Sequence, residues 1–432
     1  MKRLLGLALA AMLLLPAATS AEPTDRDVDE AIRFRSDFGL RADRAYVEET
    51  LTNANLDDAT WGVPLTKAEA AEMSERARIG ESGEPLMEYG RSRPGVFGGA
   101  YIDQPGGGVV TVLVTDDADA PQWVELVPAG APVKIRTVDR TEKELEAIHE
   151  RIAEDWRSIE RRGVSLEYIS TEIPDNVVEI GVKGLTPAVR EMLKADYGPG
   201  VRIVEGASVR PASCPSSDCA NPLKAGLRIN MPPGGDFSYC TSGFHVRGSG
   251  GNIKMLTAGH CNLGLAIPSA QYEHTGFGDI GRFVETSIVN QPYELKADSG
   301  LIDIADGQGS RLFFISVAQG SRSVTEVQNK TQEMLGQVVC KSGYNGGYSC
   351  GYLETTSETY NEFGHLFYKQ RRASATNTLG GDSGGPVYYG TTAKGVVTAR
   401  QGSSNKLVYT HIKEAKDAVG WDHLCGIAGD NC

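Results

Sequence analysis

Cysteine is missing from the first 213 residues of this 432-residue chain: all eight cysteines lie at or after Cys214. The part before it has no disulfide and must hold together by packing alone. Long apolar runs are also scarce. After the run from Leu4 to Leu15, itself too short to cross a bilayer, no stretch reaches membrane-spanning length, which argues against a membrane partner. No basic patch and no basic run interleaved with aromatics appears, and the formal net charge is −13, so nucleic acid is excluded as a partner. Cys214 and Cys219 have no second Cys or His pair nearby to complete a zinc site, and no metal is expected.

The first 21 residues carry Lys2 and Arg3, then the apolar run, then Pro16 and a small-residue tract ending Thr19-Ser20-Ala21. That is the build of a secretory signal peptide cleaved before Glu22, and it predicts a soluble, exported, extracellular product. In an oxidising compartment an even cysteine count means disulfides. Spacing groups them as Cys214–Cys219, Cys240–Cys261, Cys340–Cys350 and Cys425–Cys432. Charge divides the chain as well. Residues 1–225 hold 26 Lys plus Arg against 38 Asp plus Glu, whereas residues 226–432 hold 17 against 18. Two unlike parts are joined, and the length suits two or three domains.

The N-terminal part reads as α+β. A charged amphipathic stretch spans residues 27–51, and Thr66 with Glu69 forms a capping-box signature opening a helix through Arg78. Two strands, 97–103 and 109–116, flank the turn Gln104-Pro105-Gly106-Gly107-Gly108. Then come a strand near 133–138, a long helix over 141–162 with Thr141 and Glu144 as a second capping box, strands at 164–170 and 177–182, a helix at 186–197 and a strand at 201–205. His149, among the charges of the long helix, reads as a solvated surface histidine. Residues 206–226, rich in Pro, Ser, Ala and Cys, read as a linker. From Leu227 the texture changes to short apolar runs broken by glycine, which indicates an all-β barrel or sandwich, closed by a helix at 412–419.

Chemistry gathers around Gly380-Gly381-Asp382-Ser383-Gly384-Gly385-Pro386. A serine between glycines can be a surface turn, or a nucleophile whose neighbours aim backbone N–H groups at a reacting atom. What decides is a base and an orienting acid elsewhere. His260, in Thr257-Ala258-Gly259-His260-Cys261, follows a strand-like run and titrates near working pH. Asp298 opens the apolar strand Gly300-Leu301-Ile302; Asp303 and Asp279 are rival carboxylates.

These three segments, in the order His, Asp, Ser, resemble the signature motifs of chymotrypsin-fold serine proteases. Cys240-Thr241-Ser242-Gly243-Phe244, and Cys340-Lys341-Ser342-Gly343 with Cys350-Gly351, are similar to the bacterial branch of streptogrisins and α-lytic protease, which are made with a large pro-region that helps them fold. The segments 97–103 and 164–205 resemble such a pro-region. The resemblance implies an α+β pro-region at residues 22–212, followed by an all-β trypsin-like double β-barrel protease domain at 213–432 with a C-terminal helix. It also implies a secreted zymogen that hydrolyses peptide bonds through His260, Asp298 and Ser383. Backbone N–H groups of Gly381 and Ser383 would form the oxyanion hole, and Lys341 would pair with Asp382 where the branch has arginine. By motif position the substrate pocket has Asn377 at its base, Thr398, Ala399 and Arg400 along a wall and Tyr409 behind. No acidic base is present, which argues against cleavage after Lys or Arg, and Arg400 is read as pointing to solvent. The expected partners are protein substrates and the chain's own pro-region, on a monomer without cofactor. Two departures stand out: residues 373–379 lack the cysteine usual before the nucleophile, and the sequence near Leu227 lacks the branch's usual mature start. The alternatives are a catalytically silent barrel that binds peptides or partners, and a lipase or esterase. The retained His, Asp and Ser argue against the first, and the chain order and all-β surroundings against the second.

Overall fold

A computed structural model describes residues 25–432 except 53–60, 62, 64, 117–119, 207–208, 211–222, 275–277, 289–295, 305–308, 317–319, 363, 375–376, 403–404 and 428–431. Helices α1 (Asp25–Asp37), α2 (Arg44–Thr52), α3 (Lys67–Glu81) and α4 (Glu84–Arg91) open the described chain. The single amphipathic stretch expected over 27–51 is thus two helices. Gly39 between them takes a left-handed φ of +65°, and a Cβ there would overlap the Pro105 carbonyl, so the chain turns where only glycine fits. Thr66 caps α3 with the reciprocal Glu69 contact that its sequence signals.

Strands β1 (Phe97–Asp103) and β2 (Val109–Val114) form the expected hairpin, and β3 (Val133–Thr137) adds in parallel; α5 (Ala120–Glu125) buries Trp123 against them. The long helix α6 (Glu142–Arg161) packs on β4 (Ser165–Glu172), β5 (Val177–Lys183) and β6 (Val201–Glu205), with α7 (Pro187–Tyr197) between β5 and β6. One face of α6 buries Leu145, His149, Ile152, Trp156 and Ile159, an apolar stripe at helical spacing.

Beyond this α+β part lie two β-systems. The first contains β8 (Arg228–Asn230), β9 (Tyr239–Thr241), β10 (His245–Arg247), β11 (Ile253–Thr257), β12 (Gln271–His274), β13 (Gly278–Thr286) and β14 (Gly300–Ile304). A short ribbon, β15 (Leu312–Ser316) and β16 (Gly320–Ser323), leads through β17 (Glu326–Val327) to the second system. That system contains β18 (Val338–Gly343), β19 (Gly347–Glu362), β20 (His365–Ala373), β21 (Pro386–Tyr389), β22 (Thr392–Gln401) and β23 (Lys406–His411). The helix α8 (Ile412–Val419) then crosses the outside, and β24 (His423–Leu424) returns to pair with β10. Two of these strand sets thus form the β-rich C-terminal half, with separate cores around Met255, Tyr272, Phe283 and Ile302 and around Val339, Val387, Val397 and Leu407. Among the described residues no helix is long and apolar enough to cross a membrane.

The α+β part is not a detached module. Tyr168, Ile169 and Ser170 of β4 pair with Tyr360, Thr359 and Glu358 of β19, so β4–β6 extend the second sheet of the barrel half. The segment read as a linker is partly a strand: β7 (Val209–Arg210) pairs antiparallel with the end of β22, Val209 with Gln401 and Arg210 with Arg400. On the opposite side, α3 docks on the barrel half through Gln337, whose Nε2 donates to Gly80 O at 2.9 Å, and through Lys394, fully buried 2.6 Å from Glu81.

Candidate active site

β11 ends at Thr257 and runs into a short 3₁₀ turn, Gly259–Asn262, that carries His260. The neighbouring Cys261 is disulfide-bonded to Cys240 at the edge of β9, which pins the turn to the adjacent strand. Asp298 lies two residues before β14 and is fully buried. Its Oδ1 accepts the His260 backbone N–H at 2.9 Å, and its Oδ2 lies 2.6 Å from Nδ1 of the ring. With Nδ1–H donated to the carboxylate, the ring presents its Nε2 lone pair as a proton acceptor. The Phe237 ring packs against the imidazole in a T-shaped contact, with centroids 5.4 Å apart and planes at 68°.

Asp298 is itself held from behind. Its backbone N–H donates to Thr410 Oγ1 at 3.0 Å, and that hydroxyl donates to Gln370 Oε1 at 2.7 Å. Since the single Thr410 proton goes to Gln370, the Thr398 hydroxyl, 3.1 Å away, is the donor in its contact with Thr410. Thr398, Gln370 and Thr410 are all buried. The rival carboxylates lie elsewhere: Asp303 and Asp279 are exposed on β14 and β13, and Asp303 Oδ1 accepts from the Asn252 amide.

Ser383 sits in the turn before β21. Its carbonyl accepts the Thr241 N–H at 2.8 Å, next to the Cys240–Cys261 bridge, so the serine and histidine turns are tied to the same short strand. The following N–H, of Gly384, donates to Val397 O at 2.8 Å. Gly384 has φ +88°, and a Cβ there would overlap Thr257 Oγ1 and Thr241 O, so a glycine is required for the turn to seat against the histidine segment. The Ser383 hydroxyl lies 3.5 Å from Thr398 O, a weak contact that leaves its proton available. Among the described residues neither the Gly381 nor the Ser383 N–H has a hydrogen-bond acceptor.

Asp382 turns the other way, into the protein. Its Oδ2 lies 2.6 Å from Lys341 Nζ, with both side chains fully buried, and also accepts the Leu379 N–H at 2.9 Å. Oδ1 accepts the N–H groups of Asn345 and Gly346 at 2.9 and 2.8 Å. Lys341 Nζ further donates to Gly347 O at 3.1 Å. The Ser383 turn is thereby bolted to the β18–β19 hairpin, which the Cys340–Cys350 bridge closes. Cys425–Cys432 is the third bridge; Cys214 and Cys219 lie outside the described residues.

The pocket residues behave differently from one another. Asn377 donates its backbone N–H to Ser349 Oγ at 3.1 Å and its side-chain amide to Gly346 O at 3.3 Å, so its polar groups serve the loop. Tyr409 is fully buried in the barrel core, where burial and the nearby Glu333 push its phenol well above the usual range. Arg400 does not point freely to solvent: it is half-buried, and its Nη1 donates to Asn405 Oδ1 at 2.8 Å in the β22–β23 turn.

His149 also departs from its sequence reading. It is fully buried where α6 meets β4 and β19, with Nδ1 3.1 Å from Thr171 Oγ1 and Nε2 2.8 Å from Thr359 Oγ1. Burial, reinforced by Lys369, lowers its pKa to about 3. The signal was present: His149 falls four residues after Leu145 and three before Ile152, on the apolar stripe. Thr410 and Gln370 carry no such signal; they are ordinary polar residues in strands, brought to Asp298 by folding alone.

With this geometry in view, comparison with known proteins is decisive. A family model described as Trypsin matches residues 237–419. Serine protease 2 of Streptomyces fradiae is 31% identical over 166 residues, which cover 38% of this chain and 88% of that protein. The chain belongs to the trypsin family. Glutamyl endopeptidase 2 of Streptomyces griseus is a further relative of this trypsin-family chain, 27% identical over 189 residues that cover 43% of this chain and 93% of that protein. Among solved structures, Thermobifida fusca protease A matches with a TM-score of 0.37 at 24% identity, over 46% of this chain and 97% of that one. As a trypsin-family member with Streptomyces serine protease relatives, this protein is a serine endopeptidase, with a trypsin-like β-rich half, an N-terminal part that contains helices, and a C-terminal helix.

Proposed function

We propose that this endopeptidase is secreted as an inactive monomeric precursor and that Ser383, His260 and Asp298 carry its chemistry. His260 Nε2 takes the Ser383 proton as Oγ attacks the substrate carbonyl carbon, and Asp298 stabilises the imidazolium. The tetrahedral oxyanion is received by the Gly381 and Ser383 N–H groups, each such donor contributing about 3 kcal/mol in comparable sites. Collapse transfers the proton from His260 to the leaving amine, and water, deprotonated by the same histidine, releases the acyl group. The observation that carries this reading is the two-point grip of Asp298 on His260, backbone at 2.9 Å and ring at 2.6 Å. It fixes the tautomer that a general base requires, and a silent binding barrel has no use for it.

Residues 22–212 act as the pro-region. Support comes from β4, which extends the sheet at β19, and from β7, which lies along β22 and runs toward Thr398 beside Ser383. Ser383 is 1% and His260 2% exposed, the burial expected of a site closed in the uncut chain. Strand pairings between distant segments fold slowly, and a prebuilt sheet edge at β4 gives the β19–β20 hairpin a template. Cleavage near residue 212 then opens the cleft, and the four cysteine pairs stabilise the exported enzyme. The pocket residues Asn377, Thr398, Arg400 and Tyr409 bear no carboxylate, which disfavours a basic residue at the scissile bond.

The test is the full-length chain. A sulfonyl fluoride should label Ser383, and His260→Ala should abolish the label. Wild type should yield a new N terminus near residue 213, and Ser383→Ala should accumulate uncut. A label on another residue, or normal turnover by Asp298→Ala, overturns the triad assignment.

A further inference from the structure

Arg400 is the one cation on the strand edge that β7 occupies beyond Thr398. The register pairs Arg400 with Arg210 and Gln401 with Val209, and Ser383 Oγ lies beside Thr398 O, two residues earlier on β22. A peptide continuing this antiparallel register places the residue at the scissile bond opposite Thr398. The residue two places before it, third from the scissile bond, then stands opposite Arg400. This placement rests on the proposed role of Ser383. Directly opposed residues of an antiparallel pair share a face, with Cβ atoms about 5 Å apart.

The state of Arg400 is unusual for this protein. Other buried arginines have carboxylates: Arg371 meets Glu333 at 2.7 Å, and Arg372 meets Glu172, Glu354 and Glu358 at 2.8 to 2.9 Å. Arg400 has no ion pair among the described residues, and its Nε is enclosed without a hydrogen-bond partner. A half-buried guanidinium without a carboxylate keeps its charge uncompensated, so a ligand carboxylate that reaches its Nη groups gains a charge-assisted hydrogen bond. The partner Arg400 does have is neutral: Nη1 donates to Asn405 Oδ1 at 2.8 Å at the hairpin-turn end of β22.

The geometry points to Arg400 as a specificity residue that selects Asp or Glu at the third substrate residue before the scissile bond. The chain's own residue in that register is Arg210, so β7 supplies no carboxylate there. The segment that closes the cleft is thereby a weak ligand once cut, and an acidic substrate displaces it.

Matured full-length protein would be assayed on peptides identical except for Glu, Asp, Ala or Lys at the third position. Wild type should favour Glu over Ala in kcat/KM by roughly tenfold, the discrimination of one charge-assisted hydrogen bond. In Arg400→Gln that ratio should fall to about one, and in Arg400→Glu the order should invert to favour Lys. Arg210→Glu should leave the cut N-terminal fragment bound to the enzyme through size exclusion, where wild type releases it. No acidic preference in wild type, a preference confined to the residue at the scissile bond, or a preference that survives Arg400→Gln overturns the proposal. Sulfonyl fluoride labelling of each protein separates the two readings: a wild type that cleaves but does not label at Ser383 refutes the triad, whereas labelled variants with unaltered ratios refute the role of Arg400.

Discussion

Replacing Lys341 with methionine probes how the nucleophile turn is held. Asp382 receives four donors: the N–H groups of Leu379, Asn345 and Gly346 at 2.8 to 2.9 Å, and Lys341 Nζ at 2.6 Å. Lys341→Met removes only the last, but it is the only one that carries a full charge, and both side chains are fully buried. Breaking a buried pair on one side typically costs about 3 to 5 kcal/mol because a carboxylate is left uncompensated. Three surviving backbone donors place this case near the lower end, about 3 kcal/mol. Asp382 and Ser383 are adjacent, so the strain falls on the turn that presents the proposed nucleophile and both proposed oxyanion donors. Sulfonyl fluoride titration of purified Lys341→Met should find a small fraction of competent sites and a shortened half-life at elevated temperature. The double variant Lys341→Met, Asp382→Asn, which removes both charges and keeps the backbone acceptor, should recover part of the loss. Full titration and an unchanged half-life for Lys341→Met would refute the reasoning.

Thr410→Val strips the acceptor from the Asp298 N–H, a buried donor whose loss of partner is worth about 1 to 3 kcal/mol; kcat should fall about tenfold with KM little changed and the acid limb of the pH profile displaced, while Thr410→Ser should restore both. His149 is held neutral by burial, with a folded pKa of about 3 against an ordinary 6.5. Its contribution is therefore present above pH 6.5 and lost as pH falls toward 3, at about 1.4 kcal/mol per pH unit. The stability gap between wild type and His149→Gln, followed by denaturant melts of the uncut Ser383→Ala background, should narrow by that slope below pH 6.5; a constant gap refutes the assignment. In the same background, Arg372→Met should loosen β4 from β19, read as faster amide exchange at residues 168–170, because Arg372 Nη2 holds Glu172 at 2.9 Å across that junction.

How much of this the sequence could disclose depended on how local each cause is. Short-range causes were legible: capping boxes at Thr66 and Thr141, the hairpin at residues 104–108, the terminal helix at Ile412–Val419 and the three local disulfides now described all depend on residues a few to about twenty positions apart. The glycine-flanked Ser383 and its neighbours were legible because the turn demands specific residues at fixed offsets. What escaped was long-range. Pairing of β4 with β19 joins segments almost two hundred residues apart, and alternation tells only that each strand has a buried face, not which edge it meets.

The same limit explains the two misread polar residues. His149 was judged by its charged neighbours in sequence, but a helix presents every third or fourth residue to one side, and its true neighbours are Thr171 and Thr359. Arg400 was assigned to solvent by the default for arginine, yet its surroundings are set by the β22–β23 turn at Asn405 and by an edge strand drawn from another part of the chain. In both places a polar side chain sits at the junction between the α+β part and the barrel half, where its protonation or its choice of partner bears on whether the two parts stay together. On the proposed reading as a precursor, the chain must hold its N-terminal part firmly enough to fold and loosely enough to lose it. The firm contacts, Arg372 with Glu172 and Lys394 with Glu81, lie away from the cleft. The register of β7 on β22 instead sets Arg210, which is no acid, opposite Arg400, so on the proposed reading that edge is the one a substrate with a carboxylate can take over.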